Sequence, residues 1–177
     1  MKIIINKSTT VRSIPHHMKE CYKSFRKDCP NGALTQDKMT DIYKKLFPRG
    51  KAENFCRHAF RAFDADKNGS IDFKEFLYAI HIASAGTPQE QLQFAFKMYD
   101  VDGDGRINEG EMSRILSAIY ELLGDNDFKP HDTPEERTKI IFSQMDNNGD
   151  GYLTEEEFIQ GCLKDMEVSN LMSPQLL

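Results

Sequence analysis

Apolar residues recur at helical spacing along the chain in blocks separated by short polar, glycine-containing stretches. Four blocks end at Phe25, Phe63, Tyr99 and Met145. Four more run through Ile42-Tyr43-Leu46-Phe47, Phe76-Leu77-Ile80, Ile115-Leu116-Ile119-Leu122 and Phe158-Ile159-Leu163. Thr87-Pro88-Gln89-Glu90 and Thr133-Pro134-Glu135-Glu136 each place a hydroxyl at an N-cap, a proline in the first turn and a glutamate that reaches back to the cap, so a helix opens at both. Gly86 ends the helix before the first of these. The pattern predicts an all-α protein divided at Ser84-Ala85-Gly86 into an N-terminal lobe (15–86) and a C-terminal lobe (87–167). An arm (1–14) precedes them, a tail (168–177) follows, and a polar linker from Gly124 to Asp132 lies inside the second lobe.

The polar stretches between helices repeat one design. Residues Asp64–Glu75, Asp100–Glu111 and Asp146–Glu157 align without gaps, with oxygen-bearing residues at positions one, three and five, glycine at six and glutamate at twelve. This is the pattern of the EF-hand calcium loop. Calcium takes six to eight oxygens, so a short loop must double back to aim several side chains at one point, and Gly69, Gly105 and Gly151 stand where that turn is sharpest. The ligands read from the spacing are Asp64, Asp66, Asn68, Ser70 and Glu75; Asp100, Asp102, Asp104, Arg106 and Glu111; and Asp146, Asn148, Asp150, Tyr152 and Glu157. Ser70, Arg106 and Tyr152 serve through their backbone carbonyls, and Asp72, Asn108 and Thr154 at position nine through water. Three Ca2+ sites are expected, with Mg2+ as a substitute in low calcium. The last loop carries Asn148 in place of an aspartate and is expected to bind its ion more weakly.

Position eight is apolar in each loop (Ile71, Ile107, Leu153), which predicts two-residue β pairings between neighbouring loops. Hands then come in twos, and Lys27–Lys38 supplies the missing partner, with Gly32 at position six and Leu34 at eight. Lys27 and Lys38 replace the first and last carboxylates and Cys29 the third, so this loop is expected to hold no ion and to pair Leu34 with Ile71. Cys29, beside Lys27, reads either as an inert thiol or as an exposed, redox-responsive one.

Composition changes the picture in one respect. The formal charge is -5, yet the three loops carry -2, -4 and -5, so the rest of the chain is +6. Residues 1–51 alone hold twelve Lys or Arg against four acids. That basic stretch either meets anionic lipid headgroups or is simply solvated. The overall balance argues against nucleic acid as a partner. No apolar run is long enough to cross a membrane, no leader is evident at the start, and the four cysteines show no zinc or disulfide spacing, which together suggest a cytoplasmic protein, peripheral to membranes at most. No phosphate loop, nucleophile elbow or zinc motif is present, the five histidines show no triad spacing, and every carboxylate cluster is assigned to calcium. An enzyme is not expected.

Seven phenylalanines precede Gly86. With the tyrosines and isoleucines among them they exceed what a closed pair of hands should hide. Tyr22, Phe25, Ile42, Tyr43, Phe47, Phe76 and Ile80 are the candidates to line an apolar groove that calcium opens for an amphipathic partner helix. If all are core, the protein is a calcium buffer.

The stretch Tyr22-Lys-Ser-Phe25-Arg-Lys-Asp28-Cys29-Pro30-Asn-Gly32 resembles the disabled first hand of the neuronal calcium sensor family, whose hallmark is Cys-Pro in that loop. Leu46-Phe47-Pro48, Ala59-Phe60, Ala95-Phe96-Lys97-Met98-Tyr99-Asp100 and Ala118-Ile119-Tyr120 extend the likeness over residues 20–166. The resemblance implies two lobes facing one way, an N-terminal groove and regulation of a membrane-associated target protein. Members usually begin Met-Gly and carry an N-myristoyl group; Met1-Lys2 lacks the required glycine, so no myristoyl group is expected. Cys21 stands where the family usually has tryptophan.

Overall fold

The structure is a computed structural model, and it describes residues 14–124 and 133–164, with side chains from residue 19 onward. The arm through residue 13, linker residues 125–132 and the tail from 165 lie outside the described residues. Eight helices and four short strands alternate among those described. They are α1 (Ile14–Asp28), β1 (Ala33–Leu34), α2 (Gln36–Leu46), α3 (Glu53–Phe63), β2 (Ile71–Asp72), α4 (Phe73–Ala85), α5 (Pro88–Tyr99), β3 (Arg106–Asn108), α6 (Glu109–Leu123), α7 (Pro134–Met145), β4 (Tyr152–Thr154) and α8 (Glu155–Lys164).

Helices α2, α4, α5, α6 and α7 start where a side chain satisfies a free amide, while α3, preceded by Ala52, has no side-chain cap. Thr87 and Thr133 accept from Glu90 and Glu136 N–H, and both glutamates return the bond, closing the two boxes that open α5 and α7. Each cap of this kind is worth about 1 kcal/mol. Antiparallel β1–β2 pairs Leu34 with Ile71, and β3–β4 pairs Ile107 with Leu153, so hands one and two form one pair and hands three and four another. The second ladder is longer than expected, three residues a side rather than two. Leu34, Ile71, Ile107 and Leu153 are all buried, and they tie the loops to the aromatic core beneath.

The two pairs are joined through α3, which packs against α5 and α6 as well as against α2 and α4. The Phe63 ring meets Phe94 of α5 with centroids 5.6 Å apart. Lys51 N–H donates to the Glu121 carbonyl at 2.7 Å, and Asn54 Nδ2 to the Glu121 carboxylate at 2.7 Å. At this junction a Cβ on Gly50 would lie 1.7 Å from the Leu122 carbonyl oxygen, so only glycine lets the α2–α3 turn come so close to the end of α6.

This packing decides between the two readings of Cys29. Cys29 is buried, because α1 runs on to Asp28 and Cys29 N–H still bonds the Phe25 carbonyl. Burial pushes its thiol up, with Asp28 adding to the rise and Lys38 opposing it. It is therefore not the exposed, activated thiol that the flanking lysine suggested. His58 is buried as well, on α3, the helix that packs against α5 and α6.

Candidate metal centre

Each loop is built as a ladder in which one ligand's oxygen takes the amide two residues further on. In the loop after α3, Asp66 Oδ1 accepts from Asn68 N–H at 3.1 Å and Asn68 Oδ1 from Ser70 N–H at 2.9 Å. After α5, Asp102 Oδ1 accepts from Asp104 N–H at 3.1 Å and Asp104 Oδ1 from Arg106 N–H at 2.8 Å. After α7 the same two bonds join Asn148 to Asp150 and Asp150 to Tyr152, both at 2.9 Å. Such Asx turns leave the second carboxylate oxygen of Asp66, Asp102, Asp104 and Asp150 unused by the backbone ladder, whereas Asn68 and Asn148 have only the one oxygen.

The residue at position one is held differently. Asp64 Oδ2 accepts from Gly69 N–H at 2.9 Å, Asp100 Oδ2 from Gly105 at 3.0 Å, and Asp146 Oδ2 from Gly151 at 3.0 Å. The amide reaches back only because these glycines take φ of 82°, 85° and 79°. Position four also enters this left-handed region, a demand the sequence reading missed; Gly103 and Gly149 meet it freely, and Lys67 does so at φ 58° without that freedom.

Position nine has a second duty. Asp72 and Asn108 are the N-caps of α4 and α6, accepting from Glu75 and Glu111 N–H at 2.8 and 3.0 Å, and Thr154 Oγ1 accepts from Glu157 N–H at 3.3 Å. The closing glutamate answers in all three. In the loops of hands two and three it also folds across to the loop's beginning. Glu75 Oε1 accepts from Ala65 and Asp66 N–H at 2.9 and 3.3 Å, and Glu111 Oε1 from Val101 and Asp102 N–H at 2.9 and 3.2 Å. Glu157 bonds instead to Thr154 N–H and Oγ1 at 3.0 and 2.9 Å, within its own helix cap.

Carboxylate oxygens of Asp64, Asp66 and Glu75 lie within 4.8 Å of one another, and those of Asp100, Asp102 and Asp104 do likewise. An ion ringed by oxygens at about 2.4 Å has opposite ligands about 4.8 Å apart, so the spacing suits a hard divalent cation. The donors are all oxygens, as calcium or magnesium prefers. The last loop draws no such three-acid group together, Asn148 standing in place of an acid and Glu157 remaining at its cap. At position seven the side chains are engaged elsewhere: Ser70 Oγ donates to Asn68 Oδ1 at 2.7 Å, and the Arg106 guanidinium lies 5.7 Å from the centre of the Tyr152 ring.

In the first loop the fold is kept and the chemistry is not. Gly32 retains φ of 84°, Thr35 caps α2 by accepting from Lys38 N–H, and Lys38 takes the place of the closing glutamate. Lys27 lies inside α1.

The seven residues named for a groove divide by exposure. Phe25, Tyr43 and Phe76 are 2%, 5% and 4% exposed and sit in the core; Ile42, Phe47 and Ile80 pack partly buried against it. Tyr22 is 47% exposed, its ring edge 4.9 Å from Phe73.

The alternation of helix, oxygen-lined loop and helix, paired through β ladders, defines a protein of EF-hand pairs. Two family models of an EF-hand domain pair match the chain, one over residues 30–81 and one over 89–163. Recoverin of Homo sapiens is 42% identical over 108 residues, 61% of this chain and about half (54%) of recoverin's own length. S-modulin of Aquarana catesbeiana is 41% identical over 155 residues, 85% of this chain and 77% of S-modulin. The chain belongs to the neuronal calcium sensor family and is a calcium-binding EF-hand protein.

Proposed function

We propose that this protein senses calcium by binding about three Ca2+ ions in loops 64–75, 100–111 and 146–157, and that loading opens the first pair of hands onto a partner protein. Asp64, Asp66, Asn68, Ser70 and Glu75 hold one ion; Asp100, Asp102, Asp104, Arg106 and Glu111 the second; Asp146, Asn148, Asp150, Tyr152 and Glu157 the third and weakest, with Asp72, Asn108 and Thr154 acting through water. Mg2+ occupies these loops when calcium is scarce. The observation that carries the reading is the folding of Glu75 and Glu111 over the beginnings of their loops. A glutamate that bridges the loop's start to the exiting helix transmits any change at the ion to the angle between helices.

Opening uncovers Phe25, Tyr43 and Phe76 beside Tyr22, Ile42, Phe47 and Ile80. The result is an apolar strip for the nonpolar face of a partner's helix. The partner is a membrane-associated protein, and the basic residues of the first hand, Lys23, Lys27, Lys44 and Lys45 among them, hold the complex at an anionic headgroup surface in the cytoplasm. The reaction is binding and regulation, not catalysis. Fluorescence of the apolar dye ANS, titrated with calcium, tests this: it rises several-fold on loading and stays flat in Glu75→Gln. Unchanged ANS fluorescence with ions bound would mean the apolar core stays covered, as in a calcium buffer.

A further inference from the structure

Arg61 occupies the last turn of α3, three residues before Asp64, yet its side chain leaves its own hand. It donates to the Met98 carbonyl at 2.7 Å, to Lys97 at 3.4 Å and to Val101 at 2.9 Å. The first two are carbonyls at the end of α5, which have no partner within that helix, so a guanidinium is well placed on both hydrogen-bonding and dipole grounds. The third belongs to the peptide joining Val101 to Asp102, whose N–H donates to Glu111 Oε1 at 3.2 Å. Val101 N–H in turn donates to Glu111 Oε1 at 2.9 Å. A continuous chain therefore runs from the helix that ends at Asp64, through Arg61 and the Val101 residue, to the glutamate that closes the next loop. Asp100, Glu111 and Asp102 also draw the Arg61 cation electrostatically. Asp64, Asp66, Asp100, Asp102 and Arg61 line one cavity of about 1220 Å³, so the two loops share a boundary that this arginine spans.

We propose that Arg61 couples loops 64–75 and 100–111, so that an ion in one raises the affinity of the other. An ion fixing Asp64 orders the last turn of α3 and holds the Arg61 fork against its three carbonyls. The Val101 peptide is then set in the orientation that positions Asp100, Asp102 and Glu111. Part of the ordering entropy of the second site is met by the first, which produces positive coupling without new contacts to either ion. The planar fork matters, since one ammonium cannot span three separated carbonyls as a guanidinium does. This rests on the assignment of both loops as metal sites.

The test measures Ca2+ affinity by chelator competition, in a Glu157→Gln background that silences the last loop. The affinity of loop 64–75 is taken with loop 100–111 intact and with Glu111→Gln, each with Arg61, Arg61→Met and Arg61→Lys. The expected coupling is at least about fivefold with Arg61 and falls towards onefold in both replacements. Weaker binding at each loop with the same coupling factor in Arg61→Met would overturn the role, making Arg61 merely structural. Full coupling in Arg61→Lys would overturn it too, reducing the effect to charge. Absence of calcium binding by the parent protein would overturn the metal assignment itself.

Discussion

Leu34 and Ile71 face each other across the antiparallel ladder between the first and second loops, and both are buried. The first loop has lysines where its partner has carboxylates, so this contact is what it contributes. A hand that has lost its ion is thereby retained as the structural half of a pair.

Leu34→Ala should therefore destabilise the protein by about 2–5 kcal/mol, the range for truncating a buried leucine. Calcium stoichiometry should stay that of the parent. Urea unfolding together with a metal titration checks both parts; a cost under about 1 kcal/mol would show that the pairing is dispensable.

The pH dependence of stability should carry a mark from His58. Burial, with Arg61, Arg57 and Arg114 nearby, pulls its imidazole down to about 4, and Nδ1 has no hydrogen-bond partner. The unfolded chain takes up the proton near pH 6.5. The folded state, whose affinity for that proton is lower, is then fully favoured above about 6.5 and loses stability as pH falls from there towards 4. In EDTA, where metal linkage is absent, the unfolding midpoint of the parent should drop between pH 7.5 and 5 more than that of His58→Gln. Parallel curves would contradict the assignment.

What the sequence disclosed and what it concealed follow a physical division. The three loops were legible because ion ligation fixes oxygens, glycine and glutamate at set intervals, and Thr87 and Thr133 because a capping box is a local arrangement. The silent first loop was legible from Gly32 and Leu34 for the same reason. His58, Arg61 and Gly50 gave no signal, since each owes its role to contact between residues far apart in the chain. His58 shares the helical spacing of an ordinary surface residue, Arg61 looks like any solvated arginine, and Gly50 like any loop glycine. The exposure of Cys29 stayed open because the end of α1 could not be placed to within one turn from apolar spacing alone. That the Glu157 carboxylate bonds at its own cap, while those of Glu75 and Glu111 also reach the loop's beginning, is something no residue pattern records.

Three loops are proposed to hold ions, those of the second, third and fourth hands, while the first hand, with Lys27 and Lys38 at its outer ligand positions, holds none. Isothermal titration with Ca2+ on the parent, Glu75→Gln, Glu111→Gln and Glu157→Gln tests it most directly, since removing a bidentate carboxylate should abolish one site. About three ions are expected for the parent and about two for each variant, with the smallest loss of total binding energy in Glu157→Gln. Four ions in the parent, or an undiminished count in any of the three variants, would contradict it.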